Sequence, residues 1–419
     1  MTRQPTNWAG NIEFSAARYH RPTSLAALQQ VVSDAVKVRA LGTGHSFSRI
    51  ADTTGDLVSV ADLPVEMHLD AAARSVRVSA GVRYGEVATY LLDSGFALHN
   101  LASLPHITVA GACVTGTHGS GDANRSLAAA VSAVELVTAD GDVLTVSRAG
   151  DPDRFPGFVV SLGALGVLTA LTLDVVPAVE FAQDVYDGLS SEQLSAEFDR
   201  IFGSAYSVSV FTGWGTQRTN QLWLKRRADA AAVDVSWLDA VPADGPRHPI
   251  PGLDPVNCTE QLGVPGPWHE RLPHFRLAYL ASSGAELQSE FLLPREHAAD
   301  AIAALDTIGD RIAAVVQISE VRTIAADDLW LSPCYHRDTV GLHFTWVRDP
   351  DAVAPVVAAI EERLAPFAAR PHWAKVFSME PAVVQGLYER FDDFRALMQQ
   401  LDPKGKFANA WVEHHVGSK

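Results

Sequence analysis

Two short segments of this sequence combine glycines with a histidine, and these residue types suit the binding of a reactive ligand that carries phosphates. The first segment consists of Leu41, Gly42, Thr43, Gly44, His45, Ser46 and Phe47. The second consists of Thr115, Gly116, Thr117, His118, Gly119, Ser120 and Gly121. Glycines at strand ends allow backbone N–H groups to face an anion and allow a flat ligand to approach closely.

Two such loops predict one extended ligand that is held from two places. A plain phosphate-binding loop does not need a histidine, so the histidine in each loop favours a flavin nucleotide. A neutral imidazole nitrogen of His45 is nucleophilic enough to bond to the methyl carbon of an oxidised flavin. Non-covalent binding of the same ligand is the alternative.

Other nucleotide, metal and hydrolase motifs fail in this sequence. Phe47 occupies the third glycine position of a dinucleotide fingerprint, and Phe407 stands where a P-loop needs Ser or Thr. Pro273 interrupts the zincin-like pair of histidines at 269 and 274, so no metal site is predicted. Ser161 lacks the preceding glycine of a hydrolase nucleophile elbow.

A second group of polar residues lies on segments that read as strands. Because strand side chains repeat every second residue, Glu320 shares a face with Arg322, and His343 shares a face with Thr345. Lys375, which follows His372, Trp373 and Ala374, is the next polar candidate. A surface salt bridge beside an ordinary histidine is the alternative reading of this group.

Composition excludes several classes of partner. The chain has 419 residues and a formal net charge of −16, which argues against nucleic acid and anionic membranes. Cys113, Cys258 and Cys334 form no Cys-x-x-Cys pair, and no apolar leader is seen, so a reducing, cytoplasmic location is expected. Residues 158–176 are long enough to span a membrane, but their alternating tail predicts a buried helical turn followed by a strand.

Periodicity and turn signals predict an α+β architecture. Helices are predicted from Ser24 onward and over residues 84–92. Strands are predicted at residues 38–41, 57–60, 75–79, 107–114, 134–138, 143–146, 207–212, 221–225, 290–293, 315–322 and 342–346. The Asp140-Gly141 turn predicts an antiparallel hairpin. Composition changes after Pro177, which indicates a second domain.

Longer matching segments identify a family resemblance. These are residues 7–12 (NWAGNI), 102–107 (ASLPHI), 256–261 (VNCTEQ), 265–271 (PGPWHER) and 369–373 (ARPHW). The chain resembles the vanillyl-alcohol-oxidase type of FAD-linked oxidases along nearly its whole length. The resemblance implies a PCMH-type FAD-binding domain of residues 1–178, to which 370–419 return. It also implies a substrate-binding domain of residues 179–369 with a mixed or antiparallel sheet.

The resemblance also implies roles for individual residues, with FAD covalently bound through His45. The implied cofactor contacts are Leu41, Gly42, Thr43, Gly44, His45, Ser46, Phe47, Ser103, Thr108, Gly111, Thr115, Gly116, Thr117, His118, Gly119, Val167 and His372. The implied substrate contacts are Ser103, Gln288, Glu320, Arg322, His343, Thr345 and Lys375. Arg322 and Lys375 are expected to stabilise negative charge during catalysis, and His343 is a candidate proton acceptor, although the sequence leaves the identity of that group open.

The expected reaction is oxidation of a primary alcohol of a sugar alcohol such as xylitol or sorbitol, with glycerol left open. Hydride transfer to FAD would be followed by reduction of O2 to H2O2. Aldonolactone oxidation by the same fold and a catalytically silent flavin-binding protein are the alternatives. The expected partners are a polyol and O2 but neither nucleic acid nor membrane, and the oligomeric state is open, a monomer included.

Overall fold

The computed structural model describes residues 5–215, 220–279 and 285–417. The strands before residue 178 are β1 Arg18–His20, β2 Val38–Ala40, β3 Asp56–Val58, β4 Met67–Asp70, β5 Ser75–Ser79, β6 Phe96–Ala97, β7 Val131–Val137, β8 Val143–Ser147, β9 Val167–Asp174 and β10 Val176–Pro177. The later strands are β11 Glu180–Asp187, β12 Ser207–Thr212, β13 Asn220–Arg227, β14 Val241–Pro242, β15 Gly266–Pro267, β16 Glu286–Pro294, β17 Val316–Ile324, β18 Thr339–Val347 and β19 Arg370–Pro371.

Helices lie between these strands and on one face of the larger sheet. The helices are α1 Leu25–Asp34, α2 Tyr84–Asp93, α3 Val109–Val114, α4 Phe155–Val159, α5 Ser191–Ala196, α6 Phe198–Phe202, α7 Ala298–Asp306, α8 Gly309–Ala313, α9 Pro350–Leu364, α10 Pro381–Gly386, α11 Phe391–Leu401 and α12 Ala410–His415. Short 3-10 turns are Arg49–Ala51, Leu127–Ala130, Pro255–Asn257, Trp268–Glu270, Arg295–His297 and Ala365–Phe367.

Two antiparallel sheets dominate the part of the chain that is described. A five-stranded sheet has the order β4-β5-β9-β7-β8. A nine-stranded sheet has the order β14-β11-β13-β12-β17-β18-β16-β19, with β15 added beside β11. A small parallel sheet, β1-β3-β2, places the first glycine loop after β2. Helices mixed with antiparallel sheets confirm the predicted α+β architecture.

Local sequence signals account for the elements that were predicted correctly. The Ser24 side chain accepts a hydrogen bond from the Ala27 N–H and caps α1, whose Leu28 and Val32 are buried. The hairpin of β7 and β8 turns through Gly141, which has a φ of +88°. Residues 158–176 contain the end of α4 and then β9, as predicted. No helix among the described residues is long and apolar enough to cross a membrane.

The strand predicted at 107–114 is wrong, because Val109–Val114 form helix α3. Val109, Ala112 and Cys113 lie on its buried face, at a spacing that fits a helix. A short apolar run can form either a buried strand or a buried helix, and its periodicity alone does not decide between them. The second glycine loop therefore follows a helix.

The carboxyl-terminal segment packs mainly against the amino-terminal part of the chain. The Val38 N–H donates to Lys406 O at 2.9 Å, and Asn409 donates to carbonyls of the 49–52 segment. Strand β19, at the start of the segment, pairs instead with β16 of the nine-stranded sheet. These contacts support the predicted return of 370–419, while the domain boundaries themselves stay a prediction.

The buried side chain of Arg39 connects the carboxyl-terminal segment to the amino-terminal part of the chain. Its guanidinium donates to the carbonyls of Gly163, Phe407, Ile50 and Leu162. Burial lowers the pKa of Arg39 to about 10, because the charged guanidinium loses hydration.

We expect Arg39→Met to lower the free energy of unfolding by about 3–5 kcal/mol, because several buried carbonyls lose their donor. Urea denaturation followed by circular dichroism measures this. Arg227→Met is the matched control, since Arg227 forms an exposed pair with Asp229 and should cost under about 1 kcal/mol. Equal losses of unfolding free energy in the two variants would contradict the stabilising role of the buried Arg39 guanidinium.

Candidate active site

One cavity of about 800 Å³ lies between the glycine loops and the nine-stranded sheet. The predicted cofactor residues that line it are Leu41, Gly42, Thr43, Gly44, His45, Ser46, Phe47, Ser103, Thr108, Gly111, Thr115, Thr117, His118 and His372. The predicted substrate residues that line it are Ser103, Gln288, Glu320, Arg322, His343, Thr345 and Lys375. Two groups of residues far apart in sequence thus meet in one space.

The first glycine loop forms a cradle with the start of α3. A Cβ atom on Gly42 would lie 2.5 Å from Thr108 Oγ1, and one on Gly111 would lie 2.9 Å from the same atom. Gly44 has a φ of +72°, which favours glycine, and its carbonyl accepts from the Trp8 N–H at 2.8 Å. The buried Thr108 hydroxyl has no hydrogen-bond partner in the described part of the chain. A cradle with an orphaned hydroxyl fits a nucleotide cofactor such as FAD.

His45 is held at the edge of this cradle. Its ring stacks on Trp8 with centroids 4.8 Å apart and planes 21° apart. His45 Nδ1 lies 3.1 Å from Thr43 Oγ1. Burial, with contributions from His106 and Arg83, lowers the pKa of His45 to about 4. The imidazole is therefore neutral at neutral pH, which is the nucleophilic form.

Three residues predicted as cofactor contacts do not line the cavity. The side chain of Val167 packs in an apolar cluster with Leu28 and Val32, while its neighbours Gly166 and Leu168 line the cavity. Gly119 lies so close to Leu101 O that a Cβ would approach within 2.4 Å. Gly116 has a φ of +70°. The contact of these three residues with a cofactor stays a prediction.

Glu290, which the sequence analysis did not identify, is the centre of the polar side of the cavity. It is 1% exposed and lies on β16, two residues from Gln288. Arg322 Nη2 donates to Glu290 Oε1 at 2.6 Å, and Lys375 Nζ donates to Glu290 Oε2 at 2.6 Å. His118 Nε2 lies 3.3 Å from Glu290 Oε1. We call Glu290, Arg322, Lys375, His118 and His343 the Glu290 cluster.

Strand register brings the cluster together. Glu290 of β16 and Glu320 of β17 are both directly opposite His343 of β18, and Gln288 is opposite Thr345. Cross-strand neighbours of this kind have Cβ atoms about 5 Å apart. Glu320 and Arg322 are 4% and 5% exposed, which excludes the surface salt bridge that was the alternative reading.

Charge balance stabilises the buried carboxylates. Burial alone would raise the pKa of Glu290, but Lys375 and Arg322 lower it well below its usual range. Burial would likewise raise the pKa of Glu320, but Arg322 and His274 lower it. Both carboxylates are therefore ionised at neutral pH and act only as hydrogen-bond acceptors.

His343 is fully engaged within the cluster. Its Nδ1 lies 2.7 Å from Lys375 Nζ, and its Nε2 lies 3.2 Å from Thr345 Oγ1. Burial and then the charge of Lys375 lower the pKa of His343 to about 4, so the ring is neutral. Nδ1 accepts from the lysine ammonium, so Nε2 carries the proton. Both ring nitrogens of His343 thus have partners within the site, and its role as proton acceptor stays a prediction.

The histidines considered for a zinc site serve different purposes. His274 Nε2 lies 2.8 Å from Glu320 Oε1 and lines the cavity. His269 stacks edge-on against Trp268 and does not line the cavity. Among the described residues, no group of three or more His, Cys, Asp or Glu side chains is placed to hold a metal.

Comparison with known proteins places this arrangement in a family. Residues 16–147 match the family model described as FAD binding domain, and residues 285–415 match that of D-arabinono-1,4-lactone oxidase. The chain is 52% identical over 415 residues to an alditol oxidase from a Streptomyces species, covering 98% of this chain and 99% of that protein. The chain belongs to the alditol oxidase family. It is an FAD-dependent oxidoreductase, and the resemblance to FAD-linked oxidases is confirmed.

More distant relatives share the fold. The L-gulonolactone oxidase of Mus musculus is 28% identical over 441 residues, covering 97% of each chain. The crystal structure of cholesterol oxidase from B. sterolicum superposes with a TM-score of 0.78 at 14% identity, covering 99% of this chain and 96% of that chain. The structural likeness shows the fold alone, and it confirms the predicted fold of the FAD-linked oxidases.

We expect Glu290→Gln to destabilise the protein by about 3–5 kcal/mol, because Arg322 and Lys375 would remain buried without their shared counter-charge. Urea unfolding of the holoenzyme measures the change. Glu413→Gln is the control, because Glu413 pairs with Lys37 at the surface. A Glu290→Gln variant as stable as this control would contradict the central role of Glu290.

Proposed function

We propose that this chain oxidises the terminal primary alcohol of a sugar alcohol to the corresponding aldose. Bound FAD would supply the electron acceptor, and O2 would be the expected final oxidant, which would yield H2O2. The observation that carries the proposal is the single cavity in which a nucleotide cradle meets the Glu290 cluster. The alditol oxidase relative matches this chain over nearly the full length of both proteins, and it supports the choice of substrate.

The cavity face of the sheet offers donors and acceptors for several hydroxyl groups. Gln288, Glu320 and Thr345 line it from three neighbouring strands, and Ser103 lines it from the loop after β6. Gln288 Nε2 donates to Glu286 Oε1 at 2.7 Å, which orients the amide. An alcohol without further hydroxyls would leave such groups unpaired, at a cost of about 1–3 kcal/mol each. The site therefore favours polyols over simple alcohols.

Arg322 and Lys375 supply positive charge where the substrate oxygen loses its proton. Lys375 donates to Glu290 and to His343, so a third N–H is left for an oxygen in the cavity. Arg322 Nε is buried without a hydrogen bond in the described part of the chain and lies 3.6 Å from Glu320 Oε2. Donors fixed in advance stabilise a developing alkoxide without reorganisation. FAD, when bound, supplies the two-electron acceptor for the carbinol C–H bond.

Oxidation of an aldonolactone is the second candidate. The match of residues 285–415 to the D-arabinono-1,4-lactone oxidase model favours it, as do relatives named for L-gulonolactone. Those relatives are 28% identical, against 52% for the alditol oxidase, so the polyol reaction is the stronger proposal.

We also infer that FAD is attached covalently through His45. The neutral, half-buried imidazole on the cavity wall supports this, and so does its stacking on Trp8. A cytoplasmic location is proposed as well, because Cys113, Cys258 and Cys334 are all buried and unpaired.

A substrate series tests the reaction. We expect glycerol, xylitol and sorbitol to bleach the flavin anaerobically and to yield H2O2 in air, whereas 1-butanol should do neither efficiently. Lys375→Met and Arg322→Met should each slow flavin reduction by at least about 100-fold, with Arg227→Met as the control. Stopped-flow absorbance measures these rates. Faster bleaching by L-gulono-1,4-lactone than by any polyol would favour the lactone reaction instead.

The covalent bond is tested separately. We expect flavin fluorescence to remain on the polypeptide after acid denaturation and gel electrophoresis, because a covalent link survives unfolding. His45→Ala should lose this fluorescence, whereas His414→Ala, at an exposed histidine, should keep it. Complete release of flavin from the denatured wild-type protein would refute the bond.

A further inference from the structure

A buried lysine outside the cavity lies at the end of a chain of hydrogen bonds that leads into it. Lys225 of β13 is 1% exposed and does not line the cavity. Its Nζ donates to Leu272 O at 2.5 Å and lies 3.2 Å from His274 Nδ1. A buried ammonium without such partners would cost several kcal/mol, so this position calls for an explanation.

His274 connects Lys225 to Glu320. Its Nε2 lies 2.8 Å from Glu320 Oε1. The ring is fixed between Phe211 and Trp223, with centroids 5.1 Å and 5.4 Å away in edge-on geometry. The His274 N–H also donates to Ser103 O at 3.2 Å, which joins this segment to a second residue of the cavity wall.

Lys225 and the ionised Glu320 both require the tautomer of His274 that carries its proton on Nε2. An ammonium group only donates, so Nδ1 must accept, and Nε2 must carry the proton that is donated to Glu320. Burial lowers the pKa of His274 to about 4, so the ring is neutral. Burial also lowers the pKa of Lys225 to about 7, while Glu320 and Cys258 oppose this and Arg322 adds to it. Because the proton of the neutral ring lies on Nε2, Nδ1 accepts from either form of the amine.

One oxygen of Glu320 is thereby occupied, and the other is directed to the cavity side. Oε1 accepts from His274, whereas Oε2 lies 3.6 Å from Arg322 Nε without a hydrogen bond to it. A carboxylate held at one oxygen presents the other in a fixed direction to a ligand donor.

We propose that Lys225 and His274 are positioning residues that fix Glu320 as the acceptor for a hydroxyl group of the polyol. They set substrate affinity through Glu320, and Lys225 does so without touching the substrate. The proposal rests on the proposed polyol reaction for its substrate class. Sequence patterns do not reveal this pair, because Lys225 and His274 lie 49 residues apart and His274 is in a loop.

The test is the affinity of the dithionite-reduced holoenzyme for xylitol, measured by calorimetry, because the reduced enzyme binds without turnover. We expect Lys225→Met and His274→Leu to weaken binding about tenfold or more, since they release a charge-assisted hydrogen bond. His274→Gln should stay within about threefold of wild type, because its amide can accept from Lys225 and donate to Glu320. In steady state, KM should rise by a similar factor while kcat changes less than about threefold.

Several outcomes separate positioning from a merely structural role. Leu224→Ala is the control, because Leu224 lies next to Lys225 but packs in the core on the other face of the sheet. It should lower thermal stability and leave the xylitol affinity unchanged. Unchanged affinity in Lys225→Met and His274→Leu, or equal losses in His274→Gln and His274→Leu, would overturn the proposal. If Lys225→Met does not fold, the difference in xylitol affinity between His274→Gln and His274→Leu tests the proposal.

The same experiment distinguishes failure of the proposed polyol oxidation from failure of the proposed role of Lys225 and His274. Wild-type enzyme that neither binds xylitol when reduced nor is bleached by any polyol when oxidised would overturn the polyol function together with this inference. Wild-type binding with unaffected variants would overturn this inference alone.

Discussion

The buried carboxylate of Glu290 is the constraint on which the active site depends. A carboxylate in the interior costs several kcal/mol unless it is paired, and Glu290 is paired twice. Its partners come from elsewhere: Arg322 lies 32 residues later and Lys375 lies 85 residues later. One negative charge thus holds β16, β17 and the segment after β19 together. It also offsets the electrostatic repulsion between the buried cations of Arg322 and Lys375.

The sheet can carry this charged cluster because its opposite face is an apolar core. Side chains alternate along the strands, so Phe291 and Val321 point into the core beneath α7 and α9 while Glu290 and Glu320 face the cavity. Burial of the apolar face against the helices supplies favourable free energy that offsets the desolvation of the polar face. A one-residue slip of register would bury charges in the core, so the same alternation that creates the site also protects its geometry.

The sequence alone predicted those parts of the fold and the site that show a local signal, such as strand alternation or a turn motif. Alternation correctly placed Glu320 with Arg322 and His343 with Thr345, and the Asp140-Gly141 turn correctly gave a hairpin. Glu290 was missed because three apolar residues follow it, so its strand reads as core. The helix at 109–114 was missed because a short apolar run does not distinguish helix from strand. Side-chain pairing across distant segments has no local signal at all.

The proposed selectivity for polyols follows from how few polar atoms of the Glu290 cluster lack a partner within the protein. Glu290 uses both oxygens, and His343 uses both nitrogens. The groups that we propose for substrate binding are the third N–H of Lys375, Arg322 Nε, the second oxygen of Glu320 and the hydroxyls and amides around them. Because each remaining group is fixed by a partner behind it, a ligand must match their positions rather than rearrange them. A rigid, nearly saturated network therefore discriminates between hydroxyl patterns more sharply than a larger set of flexible polar groups would.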